Sequence, residues 1–461
     1  MFFPITTIVL AACLLWTRAK AGHRSALFVA LSVWGVGVLL MSAPIFTFAV
    51  EYSLAADGFV AVCLFAITFC YILVRAQPRD VAPAYWNGSR ELFLVRVLGV
   101  AGIIGCLVLL LSEGVSLSAA NLIKNLAAIR AANFESLEDP GTGSVLQILA
   151  TLLASGSILS VLAAARFGRA GGWSIVILGV ANFLLITAVG LFVYAGRTTL
   201  FYAVGLVLIS LFVTRARVIT LKPVSVLLAG LLLVGIWYFS ISWVQSREGS
   251  ADPERALIGT QRANYRPWLA PIARGDDAVG VGLISLGYMA SPLPTLAFYI
   301  GQGATPGPFW GGYSFPLQAG AVEMVTLQAS PRRWIDTRHE VFAPLESAGY
   351  FGNVWATWLR DLLVDFGYAG SILFCGLFGA FMAWARNAFE QTGAFHYHCL
   401  EVLACFTLAY GAFAGILFFT FLSTSFFLAV ALMLAVRLSI AGTRGVRTQS
   451  ADRQAEGGWA H

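Results

Sequence analysis

The sequence predicts an all-α, polytopic integral membrane protein with about 11 transmembrane helices. A large ordered outer (periplasmic) loop is expected between helices 8 and 9. Composition, hydropathy and the arrangement of apolar residues predict this class. Hydrophobic residues make up 59% of the 461 residues and charged residues only 11%, where soluble domains carry about half and about a quarter. Mean hydropathy is +0.80. The apolar residues fall in runs of about 20 with few charges, the length a helix needs to cross the hydrocarbon core.

The expected spans, in order, are 2–17, 25–49, 54–74, 92–112, 145–165, 173–195, 198–213, 224–243, 364–385, 400–420 and 423–440. The first apolar run lacks a basic leader and a small-residue cleavage site, so it reads as a helix and not as a signal peptide. Every second connection is basic: Arg18, Lys20 and Arg24; Arg75, Arg79 and Arg90; Arg166 and Arg169; Arg215, Arg217 and Lys222; Arg386; then Arg437, Arg444 and Arg447. Cytoplasmic loops carry this excess, so the N-terminus is expected outside and the C-terminus in the cytoplasm. The domain organisation is then 1–243 (helices 1–8), 244–363 (outer cap), 364–441 (helices 9–11) and 442–461 (cytoplasmic tail).

Two long segments lie outside on this reading, roughly 113–144 and 244–363. Loops of such length are functional or disordered, and the second holds Trp268, Trp310, Trp334, Trp355 and Trp358, which is not the composition of disorder. Within it, residues 281–300 are nearly long enough to span. A lone crossing would invert every later loop, so a membrane-dipping or interfacial helix broken by Pro292 and Pro294 is expected. A crossing paired with a second one near 309–327 also preserves parity.

The net charge of +6 orients the chain and gives no sign of nucleic acid as a partner. The seven cysteines show neither a disulfide framework nor zinc spacing, and no metal or other cofactor is expected. The "HYHC" at 396–399 is placed in a short cytoplasmic loop. There is no Walker loop, dinucleotide fingerprint or HExxH. A solute carrier would show broken helices and polar midplane residues; Asn182 is the clearest of these, and a hydrogen bond to a neighbouring helix is its alternative role.

Few residues remain to carry chemistry. Arg197 sits in a tight outer turn, "AGRTT", where it either snorkels to headgroups or binds an anion. The cap arginines include Arg266, Arg338 and Arg360. "DTRHEVFAP", 336–344, gathers Asp336, Arg338, His339 and Glu340 in one short stretch. In "GNVWATWLRDLLVDFGYAG", 352–370, Asn353, Thr357, Asp361 and Asp365 recur at helical spacing. Asp365 is a candidate anion for the N-terminus of the ninth span.

Gly352-Asn353, Thr357 and "DFGYAG" (365–370), opening a late span after a long outer loop, resemble the Wzy-type oligosaccharide repeat-unit polymerases of O-antigen and exopolysaccharide assembly. "GR" (196–197) and "LGYM" (286–289) fit the same pattern. The resemblance implies a lipid-pyrophosphate-dependent glycosyltransferase at the outer face of the inner membrane, metal-independent and inverting. Its partners would be undecaprenyl-pyrophosphate-linked oligosaccharides, membrane lipid and a chain-length regulator. The leaving pyrophosphate gains charge in the transition state, which suits arginine. Arg197 and Arg338 are the first candidates for binding it, with Arg266 and Arg360 in reserve. The attacking sugar hydroxyl needs a proton acceptor: His339, with Glu340 as the alternative. Trp334, Tyr350, Asn353 and Trp355 are placed at the sugars, the aromatics having interface anchoring as their other role. Alternatives are an O-antigen-ligase-like transferase and a carrier for lipid-linked sugars.

Overall fold

The structure is a computed structural model that describes residues 3–22, 25–76, 88–112, 145–193, 198–214, 263–275, 277–303, 307–315, 334–348, 356–414 and 422–437. The eighth expected span, the 113–144 segment and the 442–461 tail lie outside the described residues. Among those described, the chain is mostly helical. Among the described residues, five helices are long and apolar enough to cross a membrane: Leu54–Ala76, Gly88–Leu111, Leu149–Phe167, Trp173–Leu191 and Trp358–Thr392.

The chain opens with α1 (Pro4–Ala21) and α2 (Ala26–Ser42). The second span was expected to reach residue 49. Instead α2 stops before Pro44, which disfavours helix in the residue ahead of it, and Phe46–Phe48 forms a short strand, β1. Next come α3 (Leu54–Ala76) and α4 (Gly88–Ser112). The fifth span is divided at Ser155 into α5 (Val145–Ala154) and α6 (Gly156–Phe167). Here Ser155 donates both its N–H and its hydroxyl to the Thr151 carbonyl, 3.1 and 2.9 Å. After α7 (Trp173–Phe192) and α8 (Thr198–Thr214), the strand β2 (Ala263–Tyr265) pairs antiparallel with β1, Thr47 opposite Asn264.

The 281–300 stretch is two helices joined at Ser291. After the short α9 (Ala270–Gly275) come α10 (Asp277–Ala290) and α11 (Pro292–Gly301). The break falls where the prolines predict. Both prolines sit in the first turn of α11, where a missing N–H leaves no bond unmade. At 14 and 10 residues, neither helix is long enough to span alone. α11 is buried against α3 and α13.

The remaining elements are α12 (Trp334–Ser347), α13 (Trp358–Thr392), α14 (Phe395–Tyr410) and α15 (Leu422–Arg437). α13 is longer than the 364–385 span and bends at Gly367, whose φ of 66° an L side chain rarely adopts. Asp365 therefore stands two residues before the break, and its carboxylate bonds the 307–315 loop. The helix α14 begins earlier than the tenth expected span, so "HYHC" is its buried first turn and not a loop.

Long α3 and α13 form the central pair. A Cβ at Gly379 would lie 2.1 Å from the Ile67 carbonyl oxygen, so only glycine permits this approach. Between α4, α6 and α7, buried Asn182 accepts from Ser157 Oγ (2.7 Å) and donates to Ser160 Oγ (3.2 Å) and the Gly99 carbonyl (3.0 Å). Its polar atoms are thus used to hold helices together.

One end of the bundle is basic and crosslinked. Arg75 pairs with Glu390, and Arg386 bridges Glu390 (2.7 Å) and buried Glu401 (3.3 Å). Glu91 accepts from the backbone N–H groups of Phe395 (3.0 Å) and His396 (2.8 Å), capping α14. At the opposite end Asp57 does the same for α1, accepting from Ile5 (3.0 Å) and Thr6 (2.7 Å). This second end also carries β1, β2 and the segments that follow them.

Candidate functional site

The helix α13 starts after Thr357, whose ψ of 154° is extended. Its first turn is seated by the Trp358 N–H, which donates to the Gly411 carbonyl at 3.0 Å. That turn presents Arg360 and Asp361. Arg360 donates through Nε (3.1 Å) and Nη2 (2.9 Å) to Asp361 Oδ1. Nη2 also donates to the Tyr313 hydroxyl at 3.2 Å. The guanidinium carbon stands 5.3 Å from the centroid of Phe342 and 5.8 Å from that of Tyr313, within cation–π range. Arg360 and Asp361 are only 5% and 4% exposed, so this charge pair is held out of water.

One turn on, Asp365 anchors the 307–315 loop. Its carboxylate accepts from the backbone N–H of Tyr313 (3.0 Å) and of Ser314 (2.9 Å). Its carbonyl accepts from the Trp310 N–H at 2.9 Å, and the Val364 carbonyl from the Phe309 N–H at 3.4 Å. The Gly307–Pro308 bond in this loop is cis, and Trp310 has φ 53°. Five hydrogen bonds thus join the start of α13 to the 307–315 loop.

Helix α12 closes the cluster. Val341, Phe342 and Leu345 pack with Tyr299 of α11, Tyr313 of the loop and Val364 of α13. The Tyr299 hydroxyl is buried with no hydrogen-bond partner among the described residues, as is Ser314 Oγ. Burial pushes the Tyr299 phenol above its ordinary range, so it stays a proton donor. Four segments distant in sequence, α11, the 307–315 loop, α12 and the start of α13, therefore converge at the end of the bundle away from the Arg386–Glu401 network.

The expected site residues are distributed as follows. Arg360 is in the cluster, where its guanidinium bonds Asp361 and Tyr313 and so ties the loop to α13. Trp334, Arg338 and His339 lie on the first turns of α12, and position 338 is one turn before Phe342; their side chains lie outside the described residues. Glu340 is exposed. Arg266 is exposed just after β2, where its N–H donates to the Ile45 carbonyl at 3.0 Å. Arg197, Tyr350, Asn353 and Trp355 lie outside the described residues. No group of three metal-ligating side chains converges among the described residues.

The sequence singles out Asp361 and Asp365 but not Tyr299, Tyr313, Phe342 or the loop that joins them. The loop did carry a signal. "GPFWGG", 307–312, sets an aromatic pair between glycines and a proline, the punctuation of a fixed turn.

Fold and site together define an α-helical, membrane-embedded protein with a built polar cluster at one end of its apolar bundle. No family model, curated protein or solved structure matches the chain.

Proposed function

We propose that this protein is a glycosyltransferase that polymerises undecaprenyl-pyrophosphate-linked oligosaccharide repeat units at the outer face of a bacterial inner membrane. The observation that carries the reading is the packing of α12 onto the Arg360–Asp361 pair and the Asp365-anchored loop. It brings the helix of the Arg338-His339-Glu340 sequence to the polymerase-like 357–370 segment. This end faces away from the basic network, as a reaction outside the cytoplasm requires under the positive-inside rule.

The acceptor's sugar hydroxyl attacks the donor's anomeric carbon, forming the new glycosidic bond. The bond from that carbon to the pyrophosphate oxygen breaks, and its electron pair leaves with the lipid pyrophosphate. His339 takes the hydroxyl proton, with Glu340 as the alternative base. Arg338, with Arg197, pairs with the pyrophosphate oxygens, whose charge grows as the bond breaks. Arg360 acts at one remove by holding the loop to α13.

The test is glycan length in cells carrying Arg338→Ala or His339→Gln. Each variant should insert normally and leave single repeat units, a loss of at least about 100-fold in elongation. Normal chain lengths in either variant remove that residue from the site.

A further inference from the structure

We infer that Trp310 is a sugar-binding platform of this site, stacking its indole on a pyranose ring of the glycan substrate. The inference rests on the polymerase reading for the class of ligand, and on the geometry of one residue for its place.

Trp310 is 79% exposed. Its indole makes no hydrogen bond and no ring contact among the described residues, so it contributes little to the packing of the fold. Its φ of 53° is the left-handed region, which bulky residues rarely adopt and which costs stability. A residue that packs against little and is held in a costly conformation is maintained by something other than folding.

What holds it is specific. The Trp310 N–H donates to the Asp365 carbonyl at 2.9 Å. The Asp365 carboxylate fixes the N–H groups of Tyr313 and Ser314 on the far side of the turn. Tyr313 in turn carries the Arg360 contact. So many bonds fix the backbone at residue 310, and with it the direction in which the side chain leaves the loop. An indole that only anchors in a lipid interface needs depth and not direction.

The other exposed tryptophans among the described residues show the contrast. Trp173 begins a long apolar helix, and Trp268 spends its indole N–H on the Pro44 carbonyl at 3.2 Å. Among the described residues no ring stacks on Trp310 and no acceptor takes its indole N–H, which leaves both to a ligand. A sugar offers a matching surface: axial C–H groups for the ring face and hydroxyls for the indole N–H.

The experiment uses the full chain in lipid nanodiscs and two probes. One is the lipid-linked glycan extracted from cells deleted for the gene. The other is the oligosaccharide released from it by mild acid. Released oligosaccharide is titrated calorimetrically against wild type, Trp310→Phe, Trp310→Ala and Trp310→Gly. Binding is expected to weaken about tenfold in Trp310→Ala and Trp310→Gly and less in Trp310→Phe.

Trp310→Gly should unfold at the same temperature as wild type or higher, because glycine adopts φ 53° without strain. Loss of binding without loss of stability is what a purely structural tryptophan would not show. Equal affinities for wild type and Trp310→Ala, or no binding of the released glycan by wild type, overturn the platform. If wild type binds the released glycan through Trp310 yet never extends the lipid-linked one, the polymerase reading fails and the sugar platform stands.

Discussion

Asp365 shows how this chain uses its few charges. It is fully buried, and two backbone N–H groups bond its carboxylate. Asp57 and Glu91 are buried in the same way, each holding two backbone N–H groups at the start of a neighbouring helix. Such bonds are charge-assisted and stronger than neutral ones, which offsets the cost of removing a carboxylate from water. The sequence marks these acids only as isolated charges at the edges of apolar runs. Their backbone partners lie 51 to 305 residues away and carry no side-chain signature; Asp57 and Glu91 also bond the Tyr52 hydroxyl (2.9 Å) and His396 Nδ1 (2.7 Å). The Arg360–Asp361 pair was half legible: the residues are adjacent, but Tyr313 and Phe342, which complete it, were not. Breaking a buried pair by removing one partner costs about 3–5 kcal/mol, while replacing both with apolar groups costs far less. Arg360→Met and Asp361→Leu should each lower the unfolding temperature strongly, and the double variant should recover most of the loss. Additive losses in the double-mutant cycle, read by thermal unfolding in detergent, would show that the two side chains do not act as a pair.

At the scale of elements, apolar run length located most helices to within a few residues but gave their interruptions poorly. Pro292 announced the break between α10 and α11 because proline acts through its own backbone. Gly367 did not announce the bend in α13, since a glycine in an apolar helix is equally compatible with φ below zero. The helical face drawn through Asn353, Thr357, Asp361 and Asp365 also fails at Thr357, where the backbone is extended. The β1–β2 pair was invisible in sequence, because three-residue strands carry too little alternation to register. It ties the segment after residue 262 to the turn between α2 and α3. Thr47 and Asn264 are directly opposed, which places their Cβ atoms about 4.5–5.5 Å apart. The double variant Thr47→Cys, Asn264→Cys should therefore crosslink under mild oxidation. An oxidised sample that migrates on a gel as the reduced one does would remove this contact from the fold.

For the whole molecule, composition alone gave a helical membrane protein, and the bundle agrees. What it could not give is which distant segments share an end. Residues 299, 313, 342 and 360 meet through tertiary packing that no local pattern encodes. Two chemically distinct ends result: one with the Arg75, Arg386, Glu390 and Glu401 network, the other with the Arg360 cluster and exposed Trp310. The functional reading requires the second end to face outward. With Glu340→Cys a membrane-impermeant maleimide should label intact cells, and with Glu390→Cys it should label only after permeabilisation. The reverse pattern would put the cluster on the cytoplasmic side, where the proposed lipid-linked substrates are not polymerised. Most direct is the reaction itself: purified protein, incubated without added metal or nucleotide, with the undecaprenyl-pyrophosphate-linked repeat unit extracted from cells lacking it. The proposed function predicts a ladder of glycans rising by one repeat unit per rung, with release of undecaprenyl pyrophosphate. An unchanged single repeat unit, or one transfer to a different acceptor with no ladder, would contradict it.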